Sequence, residues 1–103
     1  MVTKQQAGHP RFYELIEAMR NLHDRKNADY SKTGDPLSNF RLCRAFGIAP
    51  WKGALVRMSD KWSRITELAG DKTEKVADEK ITDTLMDLAI YALLTIILRE
   101  EDV

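Results

Sequence analysis

Residues 88–98 read Leu-Ala-Ile-Tyr-Ala-Leu-Leu-Thr-Ile-Ile-Leu, without a glycine or proline to interrupt them. The stretch predicts a helix that is apolar on nearly every side, and such a helix is stable only when its surroundings enclose it. The run is shorter than the ~20 residues of a bilayer crossing, and Asp87 borders it. It is therefore read as a buried helix with no membrane partner. At 103 residues the chain has the size of one domain, so residues 1–103 are read as a single all-helical domain with residues 1–10 as a flexible N-terminus. Three further helices can hardly enclose the apolar one in so small a chain, which places it at the subunit interface of a homo-oligomer, a dimer or tetramer.

The remaining sequence supplies those three helices. Pro10 opens a pattern in which Phe12, Leu15, Ile16, Met19 and Leu22 recur at three- and four-residue spacing, predicting a helix to about residue 29. Residues 30–38 are turn-rich, with Gly34 and Pro36 opposing regular structure and Ser38 or Asn39 available as an N-cap. A short helix over 39–46, with Phe40 and Leu42 or Ala45 as its apolar contacts, would end at Gly47. Pro50 suits the first turn of a third helix, whose apolar face is Leu55, Met58, Trp62, Ile65 and Leu68, up to Gly70. A last helix runs from 76 or 77 to 100. The fold class is thus all-α, a bundle of three long helices and one short one.

Composition narrows the function classes. With 44% hydrophobic and 31% charged residues the chain is neither disordered nor a disulfide-stapled secreted domain. The lone Cys43 has no partner for a disulfide or a zinc site, which fits a reducing compartment, and residues 1–10 lack a signal-peptide stretch. The cytoplasm is the expected location, that of the host if the protein is phage-encoded. A formal net charge of zero weighs against general nucleic-acid binding. The halves differ, however: residues 1–52 carry nine Lys/Arg against five Asp/Glu, and residues 53–103 carry seven against eleven. That asymmetry suits a site for a metal-bound polyphosphate; it equally suits head-to-tail contact between subunits or solvated faces. Phosphate loop, dinucleotide fingerprint, nucleophile elbow and His-Glu-x-x-His are all missing from the sequence.

The candidate chemistry lies in carboxylates. Glu79, Asp83 and Asp87 follow one another at four-residue spacing, forming a stripe on the last helix. Like charges so placed repel by a few tenths of a kcal/mol per pair, and Asp87 borders the most apolar part of the chain, so something should neutralise it. Magnesium would do so through oxygen ligands; ion pairs with Arg57, Lys61 or Arg64 of the third helix would do so equally. Asp60 stands ready to join a metal, and Lys61 and Arg64 to hold phosphate oxygens. Lys26, Asn27, Asp29 and Tyr30 crowd the end of the first helix, where ligand-binding groups and capping residues are both at home.

Taken together, Lys26-Asn27-Ala28-Asp29-Tyr30, Asp60-Lys61 with Arg64, Glu79, Asp83-Thr84-Leu85-Met86-Asp87-Leu88 and Tyr91 resemble a known pattern. It is that of the small phage and bacterial members of the MazG-like all-alpha nucleoside triphosphate pyrophosphatases, including the nucleotide-modification-associated type, over residues 12–100. The resemblance implies helical subunits that assemble as dimers or tetramers, with acidic residues of two adjacent helices binding magnesium. It implies cleavage of a (deoxy)nucleoside triphosphate to monophosphate and pyrophosphate. Asp60, Glu79, Asp83 and Asp87 would then be the catalytic, metal-holding residues, Lys26, Lys61 and Arg64 would steady phosphates, and Asn27, Asp29 and Tyr30 would read sugar or base. The chain departs from that family's usual motifs. Where the first metal helix has Glu-x-x-Glu, this sequence offers Asp60 and Glu67, and the second motif, usually Glu-x-x-Asp, is spaced by four as Asp83 and Asp87. A second expectation therefore stands beside hydrolysis: a non-catalytic protein that sequesters a nucleotide, such as a phage protein capturing a defence signal.

Overall fold

The computed structural model describes residues 6–30, 37–70 and 74–102, except the side chains of residues 29, 30 and 74–79. It contains four helices: α1 (Pro10–Tyr30), α2 (Ser38–Arg41), α3 (Pro50–Ala69) and α4 (Glu74–Glu101). No strand occurs among the described residues. The chain divides into two compact units, Met1–Gly34 and Asp35–Val103, each described by itself.

The first unit is built on α1. His9 starts it: its Nδ1 accepts the Arg11 backbone N–H at 3.0 Å and its carbonyl accepts that of Phe12 at 2.9 Å. The ring thus satisfies a donor that the first turn of any helix leaves orphaned, the work usually given to Ser, Thr, Asp or Asn. Tyr13 folds back so that its hydroxyl accepts the Gly8 N–H at 3.0 Å. A Cβ at Gly8 would come within 2.6 Å of that hydroxyl, so a larger residue there would displace the phenol. Of the apolar stripe expected on this helix, Leu15, Met19 and Leu22 are half-buried, while Phe12 and Ile16 are exposed.

The second unit is a helical hairpin with a short clip. Pro50, whose missing N–H costs nothing at a helix start, opens α3 after an extended Ala49. The short helix expected over 39–46 divides in two: α2 ends at Arg41 and a 3-10 turn covers Leu42–Phe46. Gly47 then takes the left-handed conformation at φ 72°, as expected of its C-cap position. Neither Ser38 nor Asn39 caps α2; Leu37 occupies that position, without a side-chain cap.

Packing of α3 against α4 forms the core, in which Ala54 and Leu98 are 0% and 1% exposed. Leu37, from the end of the turn-rich segment, completes the buried cluster, with Phe40, Trp51 and Leu94 packed around it. Ala54 allows the two backbones to approach closely, and Leu98 fills the space so defined. Ile65 continues the buried line along α3. Several expected core residues lie elsewhere: Leu42, Leu55 and Trp62 are exposed, as is Ala45. On the clip, the five-residue 3-10 turn aims Leu42 outward and leaves the inward contacts to Phe40. Thr84 is buried and meets its own need by donating to the Lys80 carbonyl at 2.7 Å.

By length and composition α4 is apolar enough to cross a membrane over Lys80–Glu101, and 11% of that stretch is buried. As expected of so small a chain, α4 is not enclosed within it. Contact with α3 and the clip covers one side, at Thr84, Leu94 and Leu98, and leaves Leu85, Leu93, Ile96 and Ile97 exposed.

Candidate functional site: the polar flank of α3 and α4

Residues 57, 61 and 64 fall on one side of α3, and residues 83, 87 and 91 on one side of α4, because each set repeats at three or four residues. The antiparallel hairpin brings these two sides together. Lys61 Nζ stands 3.5 Å from Asp87 Oδ2, both side chains partly buried at 31% and 23% exposure. One helical turn away, Arg57 Nη2 donates to the Tyr91 hydroxyl at 3.3 Å, and its guanidinium carbon lies 5.9 Å from the Tyr91 ring centroid. Phe40 meets the same ring edge-on at 5.8 Å. Tyr91 thus has partners on both α2 and α3.

The neutralising partner demanded by Asp87 is therefore on α3, and of the three cations considered there it is Lys61 that pairs. A partly exposed pair of this kind contributes at most about 1 kcal/mol, so its presence is weak as a reason for stability. Asp60, Arg64 and Asp83 are exposed. Among the described residues no three His, Cys, Asp or Glu side chains gather into a group that could hold a metal ion. Magnesium held by the described carboxylates would therefore need oxygens from its ligand and from water to complete its near-octahedral geometry. Glu79 belongs to α4, but its side chain lies outside the described residues.

The remaining candidates belong to the first unit. Lys26 is exposed on α1; Asn27 Nδ2 donates to the His23 carbonyl at 2.9 Å and sits 3.0 Å from the ring Nδ1. The side chains of Asp29 and Tyr30 lie outside the described residues. Arg57, expected as one candidate ion-pair partner of Asp87, instead meets Tyr91, to which the sequence assigns no role. The signal was present: Arg57 precedes Lys61 by four residues and Tyr91 follows Asp87 by four, so both extend stripes already visible.

At the far end of the hairpin, Arg41 Nη2 contacts both Glu101 carboxylate oxygens at 2.7 and 2.8 Å, and Arg44 approaches Asp102 at 3.8 Å. These contacts tie the clip to the end of α4. Trp51 has two cations near its ring, with Lys52 Nζ 5.5 Å and the Arg99 guanidinium carbon 5.6 Å away.

In comparisons with known proteins, no family model, curated protein or solved structure matches the chain. The sequence and structure together define a small all-α protein of four helices, one of them short.

Proposed function

We propose that the protein binds a nucleotide polyphosphate, taken up as its magnesium complex, along the polar flank of α3 and α4. The observation that carries this reading is the mixed charge of the flank: Arg57, Lys61 and Arg64 run beside Asp60, Asp83 and Asp87, with the Tyr91 ring among them. Cations at helical spacing suit phosphate oxygens. Exposed carboxylates suit the metal that neutralises such a ligand, and an aromatic ring offers a face for a base. In this reading Lys61 already neutralises Asp87, and the nucleotide leaves intact.

A second reading is hydrolysis to monophosphate and pyrophosphate, as the resemblance implies. It is favoured by the one-turn spacing of Asp83 and Asp87, which Glu79 extends by another turn. Bound magnesium would supply an activated water. The ion pair of Lys61 with Asp87 favours binding over this alternative.

Incubating the purified protein with nucleoside triphosphates and cyclic or dinucleotide signals in magnesium separates the two. Ligand bound and recovered intact, with affinity reduced about tenfold or more in Lys61→Ala, is expected. Monophosphate and pyrophosphate, lost in Asp87→Ala, would replace capture by hydrolysis. No affinity for any of these nucleotides would overturn both.

A further inference from the structure

The last turn of α4 runs against the electrostatic rule for helix ends. Glu100, Glu101 and Asp102 follow one another there, although the negative end of the helix dipole disfavours anions. Residues 36–59 show the reverse bias, with Arg41, Arg44, Lys52 and Arg57 and no acidic residue. The fold joins the two. Arg41 Nη2 donates to both Glu101 carboxylate oxygens at 2.7 and 2.8 Å, the two side chains being 28% and 39% exposed. Those lengths belong to charge-assisted hydrogen bonds. We propose that the Arg41–Glu101 pair is a latch that positions Tyr91: by holding α2 along α4, it keeps Phe40 against the Tyr91 ring.

The argument starts from the length of α2. A helix of four residues whose N-cap, Leu37, makes no side-chain cap bond has no helical stability of its own, so it lies where its side chains are held. Residues 91, 94, 98 and 101 form one stripe of α4, and the clip lies along it. Leu37 packs with Leu98 in the core, Phe40 meets the Tyr91 ring at 5.8 Å, and Arg41 takes Glu101. Phe40 and Arg41 are neighbours in sequence, yet their partners stand about 15 Å apart along α4. Their side chains therefore reach opposite ways along the helix. Burial of Leu37 holds α2 down but is non-directional, whereas the short bonds of Arg41 fix its rotation. That rotation aims Phe40. Tyr91 in turn accepts from Arg57 at 3.3 Å, so the latch is connected to the polar flank through the two rings. At the proposed nucleotide site, a reading on which this step rests, the latch sets the face that Tyr91 offers to a base.

The ring resonances of Tyr91 in an NMR spectrum of the full chain report the orientation of the Phe40 ring beside it. Glu101→Ala is compared with Glu100→Ala, which removes the same charge one residue away, and with Glu101→Gln, which keeps one acceptor for Arg41. At unchanged helical circular dichroism, the Tyr91 resonances are expected to move in Glu101→Ala, to move part of the way in Glu101→Gln and to stay in Glu100→Ala. Nucleoside triphosphate in magnesium should bind Glu101→Ala about two- to fivefold more weakly, the most that loss of one such pair can transmit. Unmoved Tyr91 resonances in Glu101→Ala would overturn the latch whatever the nucleotide does, and so would resonances that move equally in Glu100→Ala. Moved resonances with unchanged affinity would overturn its role at the site. A wild type without affinity for nucleotide would overturn the reading of the flank, and the Tyr91 resonances would still decide the latch.

Discussion

On one flank of the α3–α4 hairpin, Arg57 reaches Tyr91 and Lys61 reaches Asp87; on the other, Leu55, Trp62, Leu85 and Ile96 stand open. The same two helices make both flanks, and their core is shared. What differs is the source of order. Side chains of the polar flank are placed by partners within the chain, including Phe40 of α2, and surface charge of that kind adds little stability. The apolar flank has hydrophobic area without corresponding burial, so the stabilisation it can contribute is still unrealised within the chain. The hairpin therefore offers two chemically distinct surfaces, of which the polar one is the side assigned to a ligand in the proposed reading.

The comparison can be broken at its shared base. Leu98 is 1% exposed between the helices, so Leu98→Ala is expected to cost about 3 kcal/mol. In urea denaturation, both the Trp fluorescence of the hairpin and its helical signal should shift together. If the polar flank survived while the apolar side melted, the two flanks would not share one core.

A smaller effect is expected from one side alone. Gly53 lies four residues before Arg57, and a Cβ there would come within 2.5 Å of Cys43 Sγ. Gly53→Ala should therefore push the 3-10 turn off α3 and lower stability by about 1 kcal/mol, even though alanine is the better helix former. Adding Cys43→Ala removes the obstacle, so the double variant should recover the helix gain. Thermal denaturation of the four proteins measures the coupling; equal costs with and without Cys43 would show that the contact is not what excludes the side chain.

The smallest effect is expected at the ion pair. A double-mutant cycle of Lys61→Ala and Asp87→Ala should return a coupling of about 0.5 to 1 kcal/mol. A coupling several times larger would mean that the polar flank, too, is part of what holds the hairpin together.

Much of this architecture is legible in the sequence where local chemistry decides it. Pro10 and Pro50 open helices, Gly47 closes the 3-10 turn at positive φ, and the apolar run of α4 predicts a helix in want of cover. The carboxylate stripe correctly raised the question of what neutralises Asp87. Sequence could not choose among Arg57, Lys61 and Arg64, since all three have the same charge and share one side of α3. Antiparallel register between the helices chose, setting Lys61 opposite Asp87 and Arg57 opposite Tyr91.

The inward set was the harder question. Leu55, Trp62 and Ile65 have the right spacing for one core face, yet of the three only Ile65 is buried, and the other buried residues of α3 are Pro50 and Ala54. The cause is geometric: close helix packing admits a small side chain at the point of contact, and a few tens of degrees of rotation move a whole apolar stripe from the inside to the edge. Leu37 is buried although its segment reads as a turn, because a buried position is defined by what packs over it. Local propensity and spacing thus determined the helices, their ends and the stripes they carry. Tertiary packing decided which stripe turned inward and which charges met, because those depend on distances between residues far apart in the chain.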